Sequence, residues 1–138
     1  MEPISTQALN EFYGTWDIVA VDPPGSTQEA ARLVFRDDHS YAAMDMGGQE
    51  LWAGTFALDS TANPKIWDHR SYESQESGSD VLGIYVINGD QLKVCCVVGV
   101  WNDGRWIGKP RPSEFDRSSS DVVLEMRRST TNGRPITT

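Results

Sequence analysis

Apolar and polar residues alternate along most of the chain, and Gly, Asn, Asp or Pro breaks the alternation roughly every ten to fifteen residues. A period of two puts one set of side chains on each face of a strand, so the pattern predicts half-buried β-strands. Strands are predicted over 14–22, 30–36, 39–46, 50–58, 65–73, 81–88, 91–99 and 121–128, eight in all. Asp37-Asp38 and Gly47-Gly48 are short turns, and Asn88-Gly89-Asp90 carries the Asn-Gly dipeptide of a type I′ hairpin. Turns this short leave no room for crossover helices, so neighbouring strands run antiparallel. Closing the sheet on itself removes both unpaired edges, which favours a barrel over a sandwich. The expected fold is all-β: an eight-stranded antiparallel up-and-down barrel over 1–128. A short N-terminal helix is expected over 5–12, with Leu9, Phe12 and Tyr13 plugging one end, and residues 129–138 lack periodicity and read as a tail.

The alternation also assigns faces. On the first strand Asp17 marks the outward side, which leaves Trp16, Ile18 and Ala20 inward and Val19 and Val21 outward. On the last, Val122, Leu124, Met126 and Arg128 share the apolar face, so the Arg128 guanidinium is placed over the Trp16 indole, where it donates to strand-end carbonyls. Gly14, Trp16 and Arg128 together predict the closed end of the barrel. Lys93 turns Leu92, Val94, Cys96 and Val98 inward and Cys95 outward. The fifth strand is ambiguous: Trp67, His69 and Ser71 form one face, Ile66, Asp68, Arg70 and Tyr72 the other, and either brings an ionisable group inside.

Composition narrows the partners. A chain of 138 residues fits one domain of roughly 100 to 200 residues. A net charge of -8, with the twelve Lys and Arg scattered, speaks against nucleic acid and anionic membranes. No apolar run approaches the ~18 residues of a membrane span, and no secretory start is visible, so the expected compartment is the cytoplasm. Cys95 and Cys96 are neighbours facing opposite ways and read as small buried residues of a reducing compartment.

Six local patterns in order then give a resemblance: Gly14-Thr15-Trp16-Asp17-Ile18-Val19; Leu33-Val34-Phe35; Gly54-Thr55-Phe56-Ala57-Leu58-Asp59; Asn63-Pro64-Lys65 followed by Asp68; Gly83-Ile84-Tyr85 running into Gly89-Asp90-Gln91-Leu92-Lys93-Val94-Cys95; and Arg111-Pro112-Ser113-Glu114-Phe115 before the closing Arg128. Over about 12–128 the chain resembles the uncharacterised lipocalin-like domain family best known from planctomycetes. The resemblance implies a calycin-type antiparallel barrel and no settled activity. The chain departs from the family pattern at Trp67 and His69, and in a longer stretch from Val100 to Gly108 that carries Trp101 and Trp106. Both departures fall at the mouth or lumen rather than the closed end.

Chemistry is sparse. His69 could act as a base with Tyr85 or Tyr41, although a histidine satisfied by a neighbouring hydrogen bond is the plainer reading. His39 and His69 are too few to anchor a metal site, and Asp37-Asp38-His39 reads as a solvated turn. Phosphate-binding glycine loops are absent, and Cys95 and Cys96 have no activating histidine nearby in sequence. Arg111 and Glu114 read as pinning a loop against the barrel end. The segment 100–108 is either a lid or a hairpin extending the seventh strand.

The expectation is therefore a barrel binding a small, largely apolar molecule, with no metal or cofactor. The ligand-binding residues expected are Trp52, Phe56, Trp67, His69, Tyr85, Cys96, Trp101 and Trp106. One alternative is a cofactor-independent isomerase or cyclase with His69 and Tyr85 as catalytic residues. Another is a protein-interaction module using the acidic surface or the tryptophan segment, and a homodimer is also open.

Overall fold

The computed structural model describes residues 11–25, 30–72 and 78–129. Its strands are β1 (Gly14–Asp22), β2 (Arg32–Phe35), β3 (Ser40–Met44), β4 (Glu50–Asp59), β5 (Lys65–Ser71), β6 (Ser79–Asn88), β7 (Gln91–Asn102), β8 (Arg105–Ile107) and β9 (Val122–Arg128). All pairings are antiparallel. The first six strands form a meander, β9 joins β1 to β7, and pairing of β6 with β7 closes the ring. The barrel thus has eight staves, as the alternation predicts, and β8 is a ninth strand outside the count. It occupies the edge of β7 beyond the point where β9 leaves, pairing Val100 with Ile107 and Trp101 with Trp106.

At that junction Asp121 Oδ2 accepts the Val98 N–H at 2.9 Å, standing in for a strand partner. Val98, expected inside, lies at the rim and is 52% exposed. The helix expected over 5–12 lies outside the described residues except for Glu11 and Phe12, and no helix stands among the described elements. None of the described helical turns is long and apolar enough to cross a membrane. The tail expected over 129–138 also lies outside them except for Ser129, whose N–H still donates to Thr15 O at 2.8 Å.

Two local features depart from the sequence pattern, the first changing which residues line the barrel. In β1, Ile18 pairs with Met126 and Ala20 with Glu125, so Val19 is an extra residue in a bulge. A bulge reverses the parity beyond it: Ala20 turns out and Val21, paired with Leu124, turns in, the reverse of strict alternation. The second feature is the turn after β6. Gly89 is the first of two central residues and sits at φ 63°, while Asp90 is not at positive φ, which is the pattern of a type II′ rather than a type I′ turn.

The interior is aromatic. Phe12 lies among Phe35, Phe56, Trp67 and Tyr85, with ring centroids 4.7 to 6.0 Å apart. Leu33, Ala43, Leu92, Val94, Leu124 and Met126 complete the packing. A second buried layer lies outside the barrel wall, where Leu82, Ile84, Cys95 and Val97 face away from the lumen yet are buried. The segment 109–120 covers them. Arg111 donates to both carboxylate oxygens of Asp68 and, at 3.0 Å, to Gly83 O, while Ser120 hydrogen-bonds the Cys95 thiol. Arg111 does pin a loop, but against the outer wall rather than the barrel end.

Candidate functional site

One end of the barrel is sealed by the residues that open and close the chain's strand pattern. The Arg128 guanidinium lies 4.3 Å from the centroid of the Trp16 ring. It donates to Glu11 O at 2.9 Å and to Tyr13 O at 3.3 Å, and pairs with Asp90. Trp16 Nε1 donates to Phe12 O at 2.8 Å. Gly14, at φ 125°, leaves the guanidinium its place, since a Cβ there would stand 3.3 Å from Nη1. Indole and guanidinium thus each satisfy main-chain carbonyls of the incoming segment, so this end holds Phe12 in the barrel axis.

At the opposite end the wall is less sealed. Ile18, Val21, Trp52 and Val122 face inward there and remain partly accessible, packing against the buried aromatics below. Leu58 and Ile87 are likewise partly accessible, at the rim of the closed end.

The ambiguity of β5 is resolved in favour of Trp67 and His69 inside, with Asp68 and Arg70 outside. Trp67 contacts Phe12 and Phe35, and the His69 ring stacks on it at 4.2 Å with 15° between planes. Tyr41 meets His69 edge-on at 5.5 Å, and Trp52 hydrogen-bonds the Tyr41 hydroxyl. Two nitrogens in this group, Trp67 Nε1 and His69 Nδ1, are buried and have no hydrogen-bond partner. Leaving a buried polar group unmade costs about 1 to 3 kcal/mol, so the pair is expensive and needs an explanation. The hydrogen bond that would have satisfied the histidine is not made at Nδ1.

Burial holds Tyr41, Tyr85, Cys96 and His69 in their uncharged forms near neutral pH. It pushes Tyr41, Tyr85 and Cys96 up to about 12 and His69 down to about 4. Asp80 opposes the shift at His69 slightly, and Glu11 and Asp59 add to that at Tyr85. Asp68, Arg70 and Asp80 of β5 and β6 are outside, where Asp80 pairs with Arg70 at 2.8 Å and accepts from Trp101 Nε1 at 2.9 Å, while Lys65, at the start of β5, shares the face of Trp67 and His69.

Of the residues expected to contact a ligand, Phe56, Trp67, His69 and Tyr85 come together in the lumen. Trp52 lies at its open end, and Cys96 is buried on the same face of β7 as Val94. Tyr85 sits lower than His69, edge-on to Phe12 at 5.0 Å, while the tyrosine that meets His69 is Tyr41. Trp101 and Trp106 are in the hairpin of β7 and β8, their rings 5.2 Å apart, on the face that continues Cys95 and Val97. Their indoles are tied to Asp80 and to Lys109 O, so the hairpin extends the wall and is not folded over the mouth. Sequence reasoning missed Val21, hidden by the bulge, and gave Tyr41 no place among the ligand contacts, although it offered Tyr41 as a partner of His69.

Clefts also lie on the surface. One of about 460 Å³ runs along Val19, Val86, Lys93, Glu125 and Arg127. Another of about 370 Å³ lies between Thr55, Ala57, Asp68, Arg70 and Asp80 and is also lined by Phe56 and His69. A third of about 320 Å³ lies along the β7–β8 hairpin between Asn102 and Ile107. The ionic side chains of the second are already paired with one another or with Arg111. Among the described residues no three His, Cys, Asp or Glu side chains converge as metal ligands would. Comparison of the chain with protein families, curated proteins and solved structures returns no match.

Proposed function

We propose that the protein binds a small, largely apolar molecule in the open half of its barrel, above the aromatic floor formed by Phe12, Phe35, Phe56 and Tyr85. The observation that carries the reading is the asymmetry of the inner wall. At the Arg128 end Trp16 and Phe12 are fixed by the guanidinium and by hydrogen bonds, whereas the described residues of the other end show no such seal, and Ile18, Val21, Trp52 and Val122 pack there only partly buried. An apolar wall with a few convergent polar groups is the usual make-up of a small-molecule pocket. Under this reading the chain is a lipocalin-like barrel, and the two free, buried thiols fit the reducing cytoplasm. Catalysis is the lesser reading, because an imidazole near 4 is a weak base and a phenol near 12 a weak acid at neutral pH.

Titration with 1-aminoanthracene, followed by its fluorescence, tests the proposal. Saturable binding at one equivalent is expected, lost in Val122→Trp, which crowds the open end, and kept in the double variant Trp101→Ala, Trp106→Ala. Circular dichroism verifies that each variant folds. No binding by the wild-type chain, or binding lost only with the hairpin tryptophans, contradicts it.

A further inference from the structure

Two cations, Lys65 and Arg128, share the inner face, both at the closed end, whereas farther along the described wall two groups that would greet a neutral polar group are unpaired. Asp17 and Arg32 pair with each other on the outer face, Arg70 pairs with Asp80, and Asp68 with Arg111. Lys93, Glu125 and Arg127 lie on the outer face of β7 and β9. Polar groups on the inner side include the Trp67 indole, neutral by nature, and the Tyr41 hydroxyl, the Cys96 thiol, the Tyr85 hydroxyl and the His69 imidazole, which burial holds uncharged. Of these, Trp67 Nε1 and His69 Nδ1 stand closed off from solvent without a partner, in rings stacked 4.2 Å apart.

Resting on the lumen reading above, we propose that Trp67 and His69 form a subsite for one uncharged polar group, a hydroxyl or an amide, on an otherwise apolar ring-shaped ligand. The indole N–H can only donate, and a neutral imidazole nitrogen accepts or donates according to its tautomer. A hydroxyl answers both, accepting from the indole and donating to Nδ1. His69 lies farther toward the open end of β5 than Trp67, so a ligand entering from that end reaches its ring before the indole. Carboxylates, phosphates and ammonium groups are selected against. They would lose their hydration beside His69, whose strand neighbours Phe56 and Val81 supply no opposite charge, a cost that paired or hydrogen-bonded surroundings alone offset.

Four naphthalenes of nearly equal size test the inference by competition with 1-aminoanthracene: naphthalene, 2-naphthol, 2-naphthoate and 2-naphthylmethylammonium. The wild-type protein is expected to bind 2-naphthol about tenfold more tightly than naphthalene, in keeping with one to two hydrogen bonds, and both ions more weakly than naphthalene. In His69→Phe and in Trp67→Phe the preference for 2-naphthol over naphthalene shrinks while naphthalene still binds, a pattern that simple loss of fold would not produce. Either ion binding as tightly as 2-naphthol, naphthalene equalling 2-naphthol, or the preference surviving in both variants overturns the subsite but leaves the lumen reading standing. Failure of all four probes together with 1-aminoanthracene overturns the lumen reading, and the subsite with it.

Discussion

His69 is the residue at which the chain's chemistry and its stability meet. The unfolded chain takes up a proton at this position near the ordinary 6.5, whereas the folded protein resists until about 4. Since the unfolded state binds the proton first, His69 favours folding fully above 6.5, and that contribution is lost as the pH falls toward 4. Urea unfolding from pH 7.5 to 4 should therefore show stability falling by as much as about 3 kcal/mol from this group, and His69→Phe should flatten that part of the profile. An unchanged profile in the variant would mean that the imidazole is not buried uncharged. The other informative residues here are Gly14, Trp16 and Arg128. Their arrangement was legible because parity alone put Trp16 and Arg128 on one face, and the Arg128 guanidinium lies over the indole and reaches the carbonyls of Glu11 and Tyr13.

At the scale of elements, alternation found every stave of the barrel and most of its turns, because each strand buries one face and exposes the other. It failed where the ladder departs from period two. The bulge at Val19 reverses the faces of Ala20 and Val21, and no sequence pattern announces one extra residue in a strand of otherwise good alternation. Consequently Ala20→Asp should change stability by less than about 0.5 kcal/mol, and Val21→Asp should cost more than about 1.5 kcal/mol, as expected for an exposed and an inward position. Thermal melts of the two variants suffice, and the opposite ranking would remove the bulge from the account. Alternation was equally blind to the buried layer outside β6 and β7, since outward residues become core once a loop lies on them. Arg111 fastens that loop through Asp68. Arg111→Ala should loosen it and let an aromatic disulfide reagent modify Cys95, which in the native protein is buried and raised to about 11. Equal, slow modification of both proteins would show that the loop stays down without the arginine.

The barrel is a closed ring of eight strands, with its Trp16 and Arg128 seal at one end and the partly buried Ile18, Val21, Trp52 and Val122 at the other. That division was expected from sequence, because the closing residues cluster at the starts and ends of strands. The particular lumen chemistry was legible only in part: Tyr41 was one of two tyrosines offered as partners of His69, but which of them meets it, and the absence of a partner for Trp67 Nε1 and His69 Nδ1, arise from strands distant in the chain. The hairpin of Trp101 and Trp106 lies on the outside of the same wall, which gives an internal control. The chain holds five tryptophans, whose indole N–H resonances can be told apart by single Trp→Phe replacements. Adding 2-naphthol to the nitrogen-15-labelled protein and following those resonances is the most direct measurement of where a ligand sits. The account predicts that Trp67 and Trp52 shift with one saturable constant while Trp101 and Trp106 stay in place; shifts confined to Trp101 and Trp106 would contradict it.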